Sequence, residues 1–575
     1  MSDLKEKIIN EINKDIMSNI SYHDNDNGGG CPLICITCDT FLDKPKSRFI
    51  PVKDLERHSH LLMPQQDLHP DVLAYYTYSG PQTSDILKKC LLSPKGIYQN
   101  NEDDHSGSLL ICESCRRALQ DQKTPPYAIA NKFEFGNQPD VLKELTDVEL
   151  AFISSVRFHS HILTFSGGHK GIKGYHSLIR TNIEKTRQCL EQMKRIEKLP
   201  NNIIVVLHGD FTEDQKNITI SKCKIRRDKC EKALDWLIEN NICFRNIDRD
   251  QLLDSLSDPI IVDLSKSVDS ENANIESVTE ITVVFPDRNL DSSTGGCNSI
   301  SEFKALLDDL NTNELTASIK LSDIKYINDY DDDNFIKAFP RHFPYGYGGP
   351  QEKRLLSNGS TKTLTKESYF KHVTNLSNIV FHEALFTLVA FNIVQRERIF
   401  HSVGWFVTND DKRCKNISNL APDAVIEEIE RRNGGNNKYS SSNSEGASAY
   451  LDKISAIAKS MPHTKEAAKQ ARKDLISMQI AHGQPSIFLT ITPPDDDSLL
   501  INVYSQLNIN ELTDLNEITS EMLRERFETR SKLRFKYPGL STLNFERLLT
   551  VITKNIIGWK NNNKDGFWEK QKHTL

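Results

Sequence analysis

Apolar residues recur along the chain with two periods, one typical of helices and one typical of strands. Residues 143–156 begin with Thr146 and Glu149 in a capping-box pattern ahead of an apolar run, which predicts a helix. Residues 226–242 place their apolar side chains on one helical face and predict another helix. Alternating apolar positions predict strands at 157–166, 202–207 and 281–285.

The C-terminal part of the chain shows the same mixture. Residues 374–395 predict a long apolar helix, and residues 465–480 predict a helix with a basic flank. Residues 485–494 predict a strand that ends at prolines. Because helices and strands mix without regular βαβ alternation, the predicted fold class is α+β, built as two mixed α/β blocks.

Polar stretches rich in Asn, Gly, Ser and Asp interrupt these elements. Such stretches bury too little apolar surface to offset the entropy lost on ordering, so they predict loops and linkers. The predicted segments are a flexible N-terminal segment at 1–30, a first block at 31–265, a polar connector at 266–334 and a second block at 335–575.

Composition narrows the class of protein. The chain has 575 residues, 12 cysteines and a net charge of −7. Any nucleic-acid binding must therefore come from local basic patches. No apolar run reaches the ~18 residues of a membrane-spanning helix, and the N-terminus lacks the apolar centre of a signal peptide. We expect an intracellular protein with reduced cysteines and a bound metal, not a disulfide framework.

Two Cys-x-x-Cys pairs are the strongest local signal for chemistry. A two-residue spacer lets two thiolates reach one metal ion, and two such pairs complete a tetrahedral shell. The pairs are far apart in sequence, and Cys31, His58 and His60 are substitute ligands; the alternative is two unrelated pairs of thiols. The predicted zinc ligands are Cys35, Cys38, Cys112 and Cys115.

A His-x-His pattern occurs at His159 and His161 within a predicted strand. Residues i and i+2 of a strand share a face, so both histidines can approach one divalent ion, as in nucleases of the His-hydrophobic-His class. The middle residue here is Ser160, and no tyrosine-bearing helix or third ligand is evident. A half-exposed strand with two polar histidines is the favoured interpretation.

Two basic segments are candidates for nucleic-acid binding. Residues 222–232 carry cations against few acids, and residues 524–536 carry cations interleaved with phenylalanines, a mixture that suits single-stranded nucleic acid. For each segment alone, an ordinary solvated helix face is the favoured interpretation. The candidate nucleic-acid-binding residues are Arg524, Arg526, Arg530, Lys532, Arg534 and Lys536.

Other enzyme signatures are missing from the sequence. It contains no G-x-x-x-x-G-K-[ST] loop for nucleotide phosphates and no G-x-S-x-G elbow for a nucleophilic serine. We therefore predict no catalytic residue and no nucleotide cofactor.

Several segments resemble one known family. Residues 339–350 (FPRHFPYGYGGP) resemble the opening signature of the Helitron helicase-like N-terminal domain of rolling-circle transposons. Upstream, residues 124–157 and 225–244 are similar to an uncharacterised domain that commonly precedes it. Further segments resemble later motifs of the family in the family's order: 368–372, 386–396, 483–495 and 537–559.

The resemblance implies an element-encoded protein that nicks and rejoins DNA with a His-hydrophobic-His/Tyr nuclease and unwinds it with a fused helicase. In that family the nuclease motif follows the segment that ends here near Trp559, and this sequence ends at Leu575 without it. The expectation is the N-terminal part of a Helitron-type replicase, truncated before the nuclease motif. The resemblance also implies a nuclear location.

The predicted function is that of a transposon-derived, zinc-containing protein that associates with DNA. The expected partners are single-stranded DNA and a separately encoded nuclease–helicase remainder, with no membrane. One alternative is a residual metal-dependent single-strand DNA nuclease that uses His159 and His161. Another is a zinc-bearing protein-interaction module without affinity for DNA.

Overall fold

The computed structural model divides the chain into two compact units. One comprises residues 1–286, 325–388 and 492–575, and the other comprises residues 287–324 and 389–491. Apart from isolated positions, the residues that the structure describes are 33–42, 47–79, 85–98, 108–165, 170–180, 204–211, 224–247, 260–267, 278–284, 333–409, 444–459, 465–484 and 536–552.

A small antiparallel sheet opens the first unit. Its strands lie in the order β1 (Ser47–Pro51), β3 (Ser108–Cys112), β2 (Ile97–Tyr98). The chain between and after these strands forms the helices α1 (Val52–Glu56), α2 (Pro70–Tyr76) and α3 (Glu113–Gln120). Buried side chains from this region form one continuous core, which includes the predicted zinc ligands Cys35, Cys38 and Cys115, and Cys112 packs against it.

Short helices form a second core in the same unit. They are α4 (Asp140–Lys143), α5 (Asp147–Ile153) and α6 (Arg227–Asn240). The predicted capping box is confirmed, because the Thr146 hydroxyl accepts from the backbone N–H of Glu149 and the Glu149 carboxylate accepts from the backbone N–H of Thr146. The predicted helix at 226–242 is also confirmed, with Leu234 and Leu237 fully buried.

The first unit also contains a five-stranded mixed sheet. Its order is β5 (Lys170–Arg180), β4 (Val156–Phe165), β8 (Val278–Val284), β6 (Ile204–Phe211), β7 (Ile260–Ser267). The β6–β7 pair is parallel, and the other pairs are antiparallel. The three strands predicted from the sequence are thereby confirmed, and so is the mixed α/β character of the fold.

An aromatic core follows in the sequence. It is built from α7 (Asn334–Ala338), the hairpin of β9 (Lys353–Leu355) and β10 (Thr361–Thr363), and α8 (Lys366–Val373). The rings of Phe335, Phe343 and Phe386 are buried and meet their neighbours mostly edge to face, the arrangement that aromatic quadrupoles favour. The segment 339–350 therefore contributes buried rings to this core.

The helix predicted at 374–395 begins ten residues later than expected, at α9 (Ala384–Asn409). Residues 379–382 form a short 3-10 turn, and the Asn378 side chain accepts from the backbone N–H of Val380 at its start. Ser377 instead bonds to a residue far away in sequence, as described below. Tertiary hydrogen bonds thus replace the helical ones that the apolar pattern predicted.

The second unit is helical in its described part. It contains α9 from residue 389 onward, α10 (Ser444–Ala458) and α11 (Lys465–His482), of which α11 confirms the helix predicted at 465–480. No helix among the described residues combines the length and hydropathy needed to cross a bilayer. The predicted strand at 485–494 and the N-terminal segment 1–30 lie outside the described residues.

The last helix, α12 (Pro538–Val551), belongs to the first unit. Its residue Leu540 and the preceding Tyr537 share a buried apolar cluster with Ile34 and Phe41 from the start of the chain. Both predicted blocks therefore contribute to one core in the first unit, and the block boundaries remain a prediction.

Candidate metal centre

The first cysteine pair lies in a tight turn between two bridged residues. Ile34 and Phe41 form an antiparallel bridge, and the Cys35 backbone donates to the Thr40 carbonyl at 3.0 Å. The chain turns back at Asp39, whose φ of 56° lies in the left-handed region that Asp tolerates. This turn directs Cys35 and Cys38 toward the same point.

The second pair lies where β3 becomes α3. Cys112 is the N-cap residue of α3, and its sulfur accepts from the backbone N–H of Cys115 at 3.3 Å. The backbone N–H of Cys112 in turn donates to the Cys35 sulfur at 3.3 Å. A helix N-terminus with such N–H donors stabilises thiolate charge.

The four sulfurs converge, as the sequence predicted. All four ligand atoms of Cys35, Cys38, Cys112 and Cys115 lie within 4.8 Å of one another, and the Cys38 and Cys112 sulfurs are 3.9 Å apart. Zinc–sulfur bonds of about 2.3 Å in a tetrahedron place sulfurs roughly 3.8 Å apart. The arrangement therefore has the dimensions of a four-thiolate metal site.

Neighbouring thiols shift the pKa values of three of these cysteines. Hydrogen bonds from Cys115, Cys35 and Cys38 hold the pKa of Cys112 far below its usual range. The pKa values of Cys38 and Cys115 are raised well above the usual range, first through their hydrogen bonds with Cys112 and also through burial. Four sulfurs this close together, three of them from buried cysteines, cannot all ionise without a cation between them, which is what a divalent metal supplies.

The first turn is fixed by backbone hydrogen bonds to its surroundings. Ile36 donates to the Leu110 carbonyl of β3 at 2.7 Å and accepts from the Ser93 backbone at 2.7 Å. Gly96 approaches so closely that an added Cβ would lie 2.6 Å from the Ile36 Cα. Only glycine permits this contact, so the turn is held against the small sheet.

A buried polar cluster joins the same turn to the segment before α9. The Asp39 carboxylate accepts from the hydroxyls of Ser93 at 2.5 Å and Ser377 at 2.8 Å, and its carbonyl accepts from the Ser377 backbone at 2.7 Å. Burial raises the pKa of Asp39, and the nearby Lys95 opposes that shift. Phe41 adds a backbone hydrogen bond to the Asn375 carbonyl at 2.9 Å.

The substitute ligands suggested by the sequence take no part in this cluster. His58 and His60 are absent from the set of converging ligand atoms, and His58 instead lies 3.4 Å from the Gln122 amide. Cys31 lies outside the described residues. The four cysteines of the two pairs are sufficient by themselves.

The predicted nucleic-acid-binding segment is described only at its end. Arg524, Arg526, Arg530 and Lys532 lie outside the described residues. Arg534 is half-buried, and the Lys536 ammonium lies 5.0 Å from the centre of the Tyr537 ring. The role of this segment in nucleic-acid binding stays a prediction.

The other basic segment, at 222–232, is described from residue 224 onward, and three of its five described cations pair with acids. Arg226 contacts the fully buried Glu149 carboxylate at 2.6 Å, and Lys229 contacts Glu144 at 2.6 Å. Burial acts to raise the pKa of Glu149, but hydrogen bonds from Arg226 and Thr146 outweigh it and leave that pKa below its ordinary value. This segment is therefore a structural ion-pair cluster.

His159 and His161 lie on β4, an interior strand of the five-stranded sheet. The pairing of β4 with β5 shifts register between these two residues. On the other side of β4, Leu163 is in register with Glu280 of β8, and Glu280 is in register with His208 of β6. The sheet thus brings residues with metal-ligand chemistry to neighbouring strands, which the sequence alone did not reveal.

Sequence reasoning missed a buried arginine of the aromatic core. The guanidinium of Arg354 lies 4.0 Å above the Phe133 ring and donates to the carbonyls of Lys132, Gly348 and Gly349. Burial raises the pKa of the neighbouring Glu134 to about 8, with the charge of Glu352 adding to the shift and that of Arg354 opposing it. No local pattern marks these residues, because their partners come from distant segments.

Comparison with known families identifies two regions of the chain. Residues 370–537 match the Helitron helicase-like domain at the N-terminus, and residues 121–253 match a domain of unknown function, DUF6570. No curated protein and no solved structure gives a significant match. Residues 370–537 therefore carry a Helitron helicase-like N-terminal domain, which confirms the resemblance seen in the sequence for that part of the chain. All four cysteines of the metal centre precede both matched regions.

Proposed function

We propose that this transposon-related protein binds DNA and that its four-cysteine centre holds a structural zinc ion. The convergence of the four sulfurs carries the metal assignment. A shell of four thiolates selects zinc or an iron–sulfur cluster among common biological metals, and the single central point between two Cys-x-x-Cys pairs favours one zinc ion. The family match supports DNA as the partner.

Zinc in this position would stabilise the fold and would leave no open site for substrate. All four ligands come from protein, as in structural zinc sites, whereas catalytic sites keep one position open. The turn that carries Cys35 and Cys38 also bonds to Ser377 through Asp39. Zinc binding would therefore stabilise the N-terminal cysteine region together with the segment that leads into α9.

The metal assignment is tested by native mass spectrometry and elemental analysis of the full chain. We expect one zinc per chain, lost in the double variant Cys35→Ser/Cys112→Ser because only two of the four thiolates, Cys38 and Cys115, remain. The matched control is Cys90→Ser/Cys230→Ser, since both thiols are buried and lie outside the cluster. A fully folded wild-type protein without metal would refute the site, and iron in place of zinc would refute the zinc assignment.

DNA binding is tested by electrophoretic mobility shift with a single-stranded oligonucleotide at moderate salt. A retarded complex that weakens as salt rises supports the proposal, because phosphate contacts release counterions. An absence of any shift, even at low salt, would favour the zinc-bearing protein-interaction module instead. Nuclear localisation and association with a nuclease–helicase remainder belong to the same proposal, and only the resemblance to the family motivates them.

One observation favours a second candidate function, a metal-dependent single-strand DNA nuclease. His161 and Leu163 are alternate residues of β4 and Leu163 is in register with Glu280 of β8, while the pairing of β4 with β5 shifts between His159 and His161. Two histidines and a carboxylate are a ligand set for a divalent ion that activates phosphodiester cleavage. Cleavage of single-stranded DNA with Mn²⁺ that is abolished by His161→Ala would support this function. Intact DNA after long incubation would exclude it.

A further inference from the structure

The helix α11 presents an unpaired cationic face in the second unit. Lys469, Arg472 and Lys473 are exposed and fall at positions i, i+3 and i+4, so they share one side of the helix. Within the described part of the chain, none of the three has an ion-pair partner. The acid Asp474 lies on another side, where it accepts from the Gln470 amide at 2.8 Å.

The same face continues into exposed apolar residues. Ile476 and Ile480 follow at i+7 and i+11 and are 45% and 82% exposed. A rise of 1.5 Å per residue makes this stripe roughly 16 Å long. Isoleucines this exposed cost free energy in water, so a face that combines them with cations indicates a partner with both anionic and apolar groups.

We propose that this face of α11 binds single-stranded DNA. The proposal rests on the DNA association proposed above and assigns it a surface. Phosphates complement the three cations, and unpaired bases offer the apolar surfaces that Ile476 and Ile480 can contact. Duplex DNA conceals its base faces, so it fits the stripe less well, and the DNA-associated family match favours a nucleic acid over an anionic lipid surface, which the test below compares directly. The surface is distinct in sequence from the predicted segment 524–536.

The test uses fluorescence anisotropy with a labelled 30-nucleotide single strand at several salt concentrations. The triple variant Lys469→Ala/Arg472→Ala/Lys473→Ala should bind at least about tenfold more weakly at 150 mM salt. Its slope of log affinity against log salt should fall by about 2, because each single-strand phosphate contact contributes about 0.7. The variant Lys469→Arg/Lys473→Arg, which keeps the charges, should retain both values.

A charge-matched control removes three cations elsewhere. Lys88, Lys143 and Arg227 are each paired with an acid three or four residues away, so their alanine variants change net charge equally without touching α11. This control should bind as the wild type does. Replacing Ile476 and Ile480 with serine should weaken binding while leaving the salt slope unchanged. Circular dichroism confirms that each variant keeps its helices.

Several outcomes would overturn the proposal. If the wild type binds and the triple variant binds with the same slope, the DNA surface lies elsewhere and only this inference fails. An equal loss in the charge-matched control would show a net-charge effect and not a surface. Tighter binding to duplex DNA or to anionic vesicles than to the single strand would reject the assigned partner. If the wild type binds no DNA at all, the proposed function fails as well.

Discussion

Two helical segments of this protein are rich in cations and lie in different environments. At the start of α6, Arg226 and Lys229 contact acids that come from about 80 residues earlier in the chain. Along α11, Lys469, Arg472 and Lys473 are exposed and form no ion pair with an acid of the described residues. The first segment holds the fold together, whereas the second is available to a partner.

The difference shows that a run of cations does not itself define a nucleic-acid surface. Acids from distant segments of the chain neutralise such a run when they contact it, and the run stays available to a nucleic acid when they do not. Glu149 is buried under α6 and needs a cation there, because an unpaired buried carboxylate is costly. The cations of α11 have no such neighbour, and solvent screens them instead.

The largest expected effect concerns Glu134, a buried carboxyl group that lies outside both basic segments. Glu134 is fully buried, and its carboxylate has no hydrogen-bond donor among the described side chains, since the nearby Arg354 donates to carbonyls. Its pKa is raised to about 8 by burial. Protonation therefore favours the folded state, and the free energy of unfolding should fall by several kcal/mol as pH rises from about 4.5 to about 8.

This prediction is checked by urea denaturation at a series of pH values. Glu134→Gln mimics the protonated carboxyl, so it should flatten the decrease and should be more stable than the wild type at pH 8. Glu231→Gln serves as a control because Glu231 forms an exposed pair with Arg227. A wild-type stability that stays level or rises across this pH range would contradict the buried-acid interpretation.

An intermediate effect is expected from Arg226→Ala. The substitution leaves Glu149 buried without its cation, and we expect a loss of about 2 kcal/mol in the free energy of unfolding, less than for a fully buried pair because Arg226 is partly exposed. The Arg227→Ala variant removes an exposed i,i+4 pair and should cost less than about 0.5 kcal/mol. Equal losses of unfolding free energy in the two variants would show that the ion pair of Arg226 with the buried Glu149 stabilises the fold no more than the exposed pair of Arg227 does.

The smallest effect is expected from Lys473→Ala. An exposed lysine without an ion-pair partner contributes little to stability, so thermal unfolding should change by less than about 0.5 kcal/mol. Its effect should appear in DNA affinity instead. A large loss of stability would mean that Lys473 has a structural partner, and α11 would then resemble α6.

The sequence by itself determined the local features of this protein. The capping box at Thr146, the helix at 465–480, three of the five strands of the mixed sheet and the two Cys-x-x-Cys pairs all follow from short spacings. Each depends on residues within a few positions of one another, where helix and strand periods act. The order of the family motifs likewise needs only the sequence.

Tertiary structure alone decided which of these features meet. It brings Cys35 beside Cys112, bonds Asp39 to Ser377 and neutralises Arg226 with Glu149. It also delayed the start of α9, because Ser377 finds its hydrogen bonds outside the helix. Burial and long-range pairing depend on how the whole chain packs, and no local pattern carries that information.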